Sequence, residues 1–197
     1  MRKVIEFLNF IQPLSEELKI YLYDSLRTET LPKKSRLLRP GSICERIYFV
    51  EKGLFRCFIR KKDEEICKWF MKEGDVVISV NSFFNQVPST ETIESIEACE
   101  IHSITFAQLQ ELYRRHPEFR SIGQKLTEIY YCRSEVRADN LIIKSTDERY
   151  NDLLRDQPDL AKRVPGKYLA SHLGMSFQTF SRIKLSHKKG KWSKDII

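Results

Sequence analysis

The chain has 197 residues, 41% of them hydrophobic and 31% charged, with a formal net charge of +7. That balance suits one large domain or two small ones around a buried core, and it excludes a disordered or low-complexity chain. No apolar run reaches the roughly 18 residues that span a bilayer, and Met1 to Phe7 lacks the apolar stretch of a signal peptide, so a cytoplasmic protein with no membrane partner is expected.

The charge is unevenly placed. From Leu160 onward there are nine Lys and Arg against Asp195 alone, a local +8 that leaves −1 for residues 1–159. One end is therefore suited to a polyanion, because basic clusters gain affinity by releasing the counterions of phosphates. The five cysteines, Cys44, Cys57, Cys67, Cys99 and Cys132, are odd in number and scattered, which argues against a disulfide framework or a zinc site. Four of them lie in strand-like segments and read as small core hydrophobes. Cys57 and Cys67 are symmetric about Lys62, so a hairpin there would set them opposite each other, as a redox switch would need.

Residues 4–26 have helical spacing (Val4, Phe7, Leu8, Ile11, then Leu14, Leu18, Tyr21, Leu22, Leu26), divided by Pro13, with Ser15 before Glu16 and Glu17 as a second helix start. From Leu31 to Thr105 the period changes. Short runs at Arg46–Val50, Leu54–Ile59, Ile66–Phe70, Val76–Val80 and Thr92–Ile104 alternate with turn signals such as Lys52-Gly53 and Glu73-Gly74-Asp75, which predicts a compact antiparallel roll or barrel. Thr105 caps a predicted helix through His116, and Pro117 starts a longer one. Along it Phe119, Ile122, Leu126, Ile129, Arg133, Val136, Asn140 and Ile143 are spaced alternately three and four apart, a heptad seam. The stripe fits either the chain's own roll or a second copy. Arg133 and Asn140 inside it favour a parallel homodimer, because polar seam residues fix register. Ser145-Thr146-Asp147-Glu148 is a capping box that opens a further helix, ended by Asp156-Gln157-Pro158.

The most informative stretch is Val164 to Ile183. Pro165 opens a helix whose buried side is Leu169, Ala170 and Leu173. Gly174 ends it in a left-handed turn, Ser176 caps the next helix, and Phe180 and Ile183 bury that helix's inner face. Two short helices across a tight Gly turn form a helix-turn-helix. The outer face then carries Phe177, Gln178, Ser181 and Arg182; Gln suits adenine and Arg suits guanine in the major groove. Ser176 and Thr179 suit phosphates. A helical hairpin used for protein contacts is the competing reading.

With those residues in place the chain resembles the Crp–Fnr family of bacterial transcription regulators over nearly its whole length. Ile47-Tyr48-Phe49-Val50-Glu51-Lys52-Gly53-Leu54-Phe55-Arg56 is similar to the family's strand–turn–strand signature, Glu73-Gly74-Asp75 to its turn, and Leu169-Ala170 through Ser176, Thr179 and Ser181-Arg182 to its helix-turn-helix. The resemblance implies an α+β fold: an N-terminal antiparallel β-roll of cyclic-nucleotide-binding type (a double-stranded β-helix) over residues 1–116, a long dimerisation helix over 117–144, and a helix-turn-helix DNA-binding domain over 145–197. It implies a homodimer on a double-stranded, palindromic operator, with RNA polymerase as a further candidate partner. It places Phe177, Gln178 and Arg182 at the base-reading positions, with Ser176, Thr179, Ser181, Lys184, Lys188 and Lys189 as phosphate contacts.

Three departures qualify what carries over. The family's cyclic-nucleotide binders hold ribose and phosphate with a Gly-Glu pair and, ten residues after the Glu, an Arg-Ser pair; those places hold Val77-Ile78 and Pro88-Ser89 here. A cyclic phosphate stripped of water needs a cation or several donors, so a degenerate pocket that does not answer to cyclic AMP is expected, with the effector unassigned and no cofactor. No cysteine precedes Cys44, against an iron–sulfur cluster, and His102 and His116 read as ordinary polar residues and not as haem ligands. The β-hairpin wing after the recognition helix is reduced or absent, a Lys-rich tail standing in its place. No catalytic constellation with persuasive spacing is present, and an enzyme is not expected. The alternative class is a ligand-binding regulatory module whose C-terminal helices contact a protein.

Overall fold

The structure is a computed structural model that describes the backbone of residues 1–192 and the side chains of residues 1–187. It divides into two compact units: Met1–Arg60 with Lys68–Tyr131, and Lys61–Cys67 with Cys132 onward.

In the first unit, α1 (Arg2–Ile11) and α2 (Glu16–Ser25) meet at Pro13, and the Ser15 hydroxyl accepts from the Leu18 amide at 3.2 Å, the cap expected of it. Eight strands follow: β1 (Arg27–Leu31), β2 (Arg36–Leu38), β3 (Arg46–Lys52), β4 (Phe55–Lys61), β5 (Glu64–Met71), β6 (Val76–Val77), β7 (Thr92–Ser95) and β8 (Cys99–Thr105). They form two four-stranded sheets, ordered β1-β8-β3-β6 and β2-β7-β4-β5. Val50 and Ile101 pair in register across β3 and β8, and Cys57 and Ile93 across β4 and β7; all four are buried in one apolar core with Leu8, Leu18 and Leu22 of the helices.

Two sequence expectations are corrected here. The run Val76–Val80 is strand only to Val77, and the chain coils at Val80 into a short helix, α3 (Val80–Asn85). The run Thr92–Ile104 is two strands broken at Ile96, where the chain bends toward Gly53. Gly53 sits at φ +109°, and a Cβ there would lie 2.5 Å from Cys99 Sγ and 2.9 Å from the Ala98 carbonyl oxygen. Its amide donates to Glu73 Oε1 at 2.8 Å, which ties the Lys52-Gly53 turn to the Glu73-Gly74-Asp75 turn, and Asp75 Oδ2 closes the latter by accepting from the Lys72 amide at 3.0 Å.

Thr105 and Gln108 make a reciprocal capping box on α4 (Phe106–Arg115), and α5 (Pro117–Ile143) follows as a 27-residue helix. The division between the units falls within α5, between Tyr131 and Cys132. The second unit continues with α6 (Thr146–Asp156), capped by Ser145 and Glu148 as the sequence predicts, then α7 (Pro158–Arg163), α8 (Gly166–His172) and α9 (Phe177–Trp192). Among the described residues no strand follows α9. Cys44, Cys57, Cys67 and Cys99 are buried and Cys132 is exposed. No helix of the described residues is long and apolar enough to cross a membrane.

Candidate nucleic-acid interface

The helix-turn-helix is built from the residues that announce it. Leu169, Ala170, Leu173, Phe180 and Ile183 are all buried between α8 and α9. The small Ala170 lets the helices cross closely, and its carbonyl accepts from the Met175 amide at 3.0 Å. Gly174 takes φ +66°, a backbone conformation that favours glycine; a Cβ on it would come 2.9 Å from Leu141 Cδ2, the mobile end of a partly exposed side chain. Ser176 Oγ accepts from the Thr179 amide at 3.1 Å and lies 3.0 Å from Thr179 Oγ1, so both hydroxyls first serve as the cap of α9.

Two arginines brace this turn. Arg137 of α5 donates through Nη2 to the His172 carbonyl at 2.8 Å, at the C-terminal end of α8 where the helix dipole favours a cation. Burial lowers the Arg137 pKa. Arg149 of α6 donates through Nη1 to the carbonyls of Leu141 at 3.2 Å and Lys144 at 2.6 Å, tying the end of α5 to α6. Ser171, on α8, accepts from the Cys67 amide at 2.9 Å and donates to the Glu65 carbonyl at 2.8 Å, taking up two groups on one edge of β5. Arg137 and Arg149 stand outside the recognition motif, and only the helix-end carbonyls they meet in three dimensions reveal their role.

On the outer face of α9, Phe177, Gln178 and Arg182 are exposed, Phe177 at 53%, and Ser181 is half-buried beside them. Gln178 and Arg182 are four residues apart and so share one face. Lys184 is exposed and in no ion pair among the described residues. The side chains of Lys188 and Lys189 lie outside the described residues. No Asp or Glu occurs between Leu160 and Lys194, so nothing in that stretch offsets the positive charge of α8 and α9.

The predicted dimer seam divides. Phe119 and Ile122 are buried in the first unit's own core, and Leu126 packs against that core, so the seam's first turns are intramolecular, contrary to the sequence reading. From Ile129 on the stripe is unburied: Ile129, Arg133 and Val136 are exposed, Asn140 is half-buried, and Ile143 is 77% exposed.

In the roll, the positions read as a degenerate ligand pocket are locally satisfied. Val77 is fully buried in the core, Ile78 packs against it, and Pro88 is bridged to Ile43. Ser89 is buried, with Oγ 3.1 Å from Ser79 Oγ and accepting from the Glu91 amide at 2.9 Å. The last residue of the strand–turn–strand signature is a buried cation whose partner the sequence did not show. Arg56, only 3% exposed, lies over the Phe58 ring and donates to Glu94 Oε1 at 2.9 Å. Its signal was a lone charge inside the apolar run Leu54 to Phe58. His102 is buried, with Nδ1 2.9 Å from Thr28 Oγ1, and His116 stacks on Tyr21 at the end of α4, so both are structural. Among the described residues no cluster of His, Cys, Asp and Glu could hold a metal ion.

Comparison with known proteins matches this geometry. Residues 28–116 match the cyclic nucleotide-binding domain family. No curated protein matches the sequence. Among solved structures, the c-di-GMP-responsive global regulator CLP of Xanthomonas campestris is 19% identical with a TM-score of 0.68, covering 89% of this chain and 93% of that one. A mutant of CooA from Carboxydothermus hydrogenoformans is 20% identical with a TM-score of 0.70, covering 94% and 84%. A transcriptional regulator of the crp/fnr family from Eubacterium rectale is 16% identical with a TM-score of 0.72, covering 94% and 88%. The chain therefore has the fold of the Crp–Fnr regulators, with a cyclic-nucleotide-binding-type roll, a long helix and a C-terminal helix-turn-helix.

Proposed function

We propose that the protein is a homodimeric, sequence-specific transcription regulator of the Crp–Fnr type that acts by binding and not by catalysis. Residues 1–116 are its sensor, 117–144 its dimerising helix and 145–197 its DNA-binding part. The observation that carries this reading is the outer face of α9: Phe177, Gln178 and Arg182 are presented to solvent by a capped helix in a stretch free of acidic residues. Gln178 and Arg182 read bases, while Ser176, Thr179, Ser181 and Lys184, with Lys188 and Lys189, meet phosphates. The exposed second half of α5 is the face for a second copy, and two-fold pairing sets half-sites roughly 34 Å apart. A cytoplasmic location and contact with RNA polymerase belong to the same reading.

The roll does not answer to cyclic AMP in this proposal. Ile78 offers no carboxylate to a ribose, Pro88 no cation to a phosphate, and Arg56 is engaged by Glu94.

DNA binding measured by fluorescence anisotropy at several salt concentrations tests the central reading. Affinity falls steeply with salt, and replacing Lys184 by Ala weakens binding to all sequences alike and reduces the slope of log K against log salt by about 1. Weak binding that ignores salt would instead favour C-terminal helices that contact a protein.

A further inference from the structure

The second unit contains a groove of about 290 Å³ on the side of α9 that faces α6 and α7. Leu169 and Phe180 line it from the helix-turn-helix, and Tyr150, Leu154 and Ala161 from α6 and α7. Three features make it more than a gap between helices. Lys162 and Lys184 both line it, both are exposed, and neither is in an ion pair among the described residues. Three acids of α6 and α7 are already matched, Asp152 with Lys144 and Arg155, Asp156 with Arg155, and Asp159 with Arg163, while Asp147 and Glu148 stand in the first turn of α6. Finally, Tyr150 brings a phenol to the lining: its ring is edge-on to Phe180 and His187, and its hydroxyl, not sealed from solvent, makes no hydrogen bond among the described residues.

An apolar lining, a phenol hydroxyl open to a new partner and two ammonium groups outside any ion pair among the described residues together match one chemistry. We propose that this groove binds a small amphipathic carboxylate, its apolar body over Leu169, Phe180 and Ala161 and its carboxylate held by the Tyr150 hydroxyl and the ammonium groups of Lys162 and Lys184. The volume is at the small end of ligand sites, which sets the body at about two fused rings or a medium acyl chain. Binding here does not depend on the roll, and because Lys184 is also a proposed phosphate contact, DNA and the carboxylate compete for it.

The test uses the full chain without DNA, titrated by calorimetry with 1-naphthoate and, separately, with its neutral analogue 1-naphthylmethanol. The carboxylate saturates one site per chain with a Kd of about 1 mM or tighter, as its size allows, and the alcohol binds several-fold more weakly. Tyr150→Phe, which keeps the ring, and the pair Lys162→Ala with Lys184→Ala each weaken the carboxylate about 3- to 10-fold, as expected for one hydrogen bond or two exposed ion pairs. Ala161→Phe fills the groove and weakens it more than about tenfold; Leu154→Gln, at a partly exposed position, lowers affinity without a bulky insertion. Circular dichroism confirms that each variant is folded. Absence of saturable binding overturns the proposal. So does binding that survives both Ala161→Phe and Leu154→Gln, which would place the site elsewhere, or equal binding of acid and alcohol, which would remove the role of the three polar groups.

Discussion

Gly174 is the residue on which the geometry of the candidate interface turns. At φ +66° it leaves alanine a backbone penalty, while the exposed end of Leu141, 2.9 Å from where a Cβ would stand, can move aside. Gly174→Ala is expected to cost about 1–3 kcal/mol, read as a drop in Tm by calorimetry or circular dichroism; a change within error would mean that the turn relaxes freely. This residue was legible in sequence because glycine is the residue most at ease in the left-handed turn that joins two apolar helices. Arg137 and Arg149 were not, because their partners are carbonyls at helix ends, which carry no residue signature. Arg56 stood in plain view as a charge among apolar residues, but its partner Glu94 lies 38 positions away and only the pairing of β4 with β7 brings them together.

At the scale of elements, legibility followed the strength of local signals. Ser15, Thr105 and Ser145 each accept the backbone amide three residues on, where the capping pattern placed them. Helices α3 and α7 escaped because six residues are too few to show a 3.6-residue period, and Pro158, read as a stop, is the first residue of α7. On α5 the heptad count was right as a pattern and incomplete as a packing. The same stripe serves the chain's own core at Phe119 and Ile122 and stands unburied from Ile129, a division that periodicity alone cannot draw. If that unburied part is the homodimer face, Val136→Glu sets two carboxylates against each other at the seam and shifts the protein to monomer in sedimentation equilibrium, with little change in the protomer's fold, since Val136 is 59% exposed there. A variant that sediments as a dimer like the parent would place the interface elsewhere.

Across the whole molecule, charge and acidity act in different units. The local +8 beyond Leu160 sits with the helix-turn-helix, and the rest of the chain is nearly neutral. In the roll, His102 has its pKa lowered, chiefly by burial and also by the Met1 ammonium, against opposing effects of Glu51 and Glu100. Burial raises the Glu51 pKa, but hydrogen bonds from the Met1 ammonium and the Lys3 amide outweigh it, and the net shift is downward. The signs agree. As pH falls, the unfolded chain takes up a proton on each group before the folded one does, so stability is lost, for His102 from its ordinary pKa of about 6.5 downward and for Glu51 at lower pH. Denaturant unfolding at pH 7.5 and 5.5 should show lower stability at the acid value, and His102→Gln should reduce the difference; an unchanged difference would assign it to other groups.

In the proposed function the exposed face of α9 reads a DNA sequence on behalf of a dimer. The most direct test is selection of bound sequences from a random double-stranded pool, with the parent protein and Arg182→Ala side by side. The expected result is a palindrome with half-sites one helical turn apart, in which the variant loses preference at one position per half-site at a cost of about 1–3 kcal/mol. Binding that enriches no sequence, or a preference that Arg182→Ala leaves whole, would contradict the assignment of α9 as the reading helix.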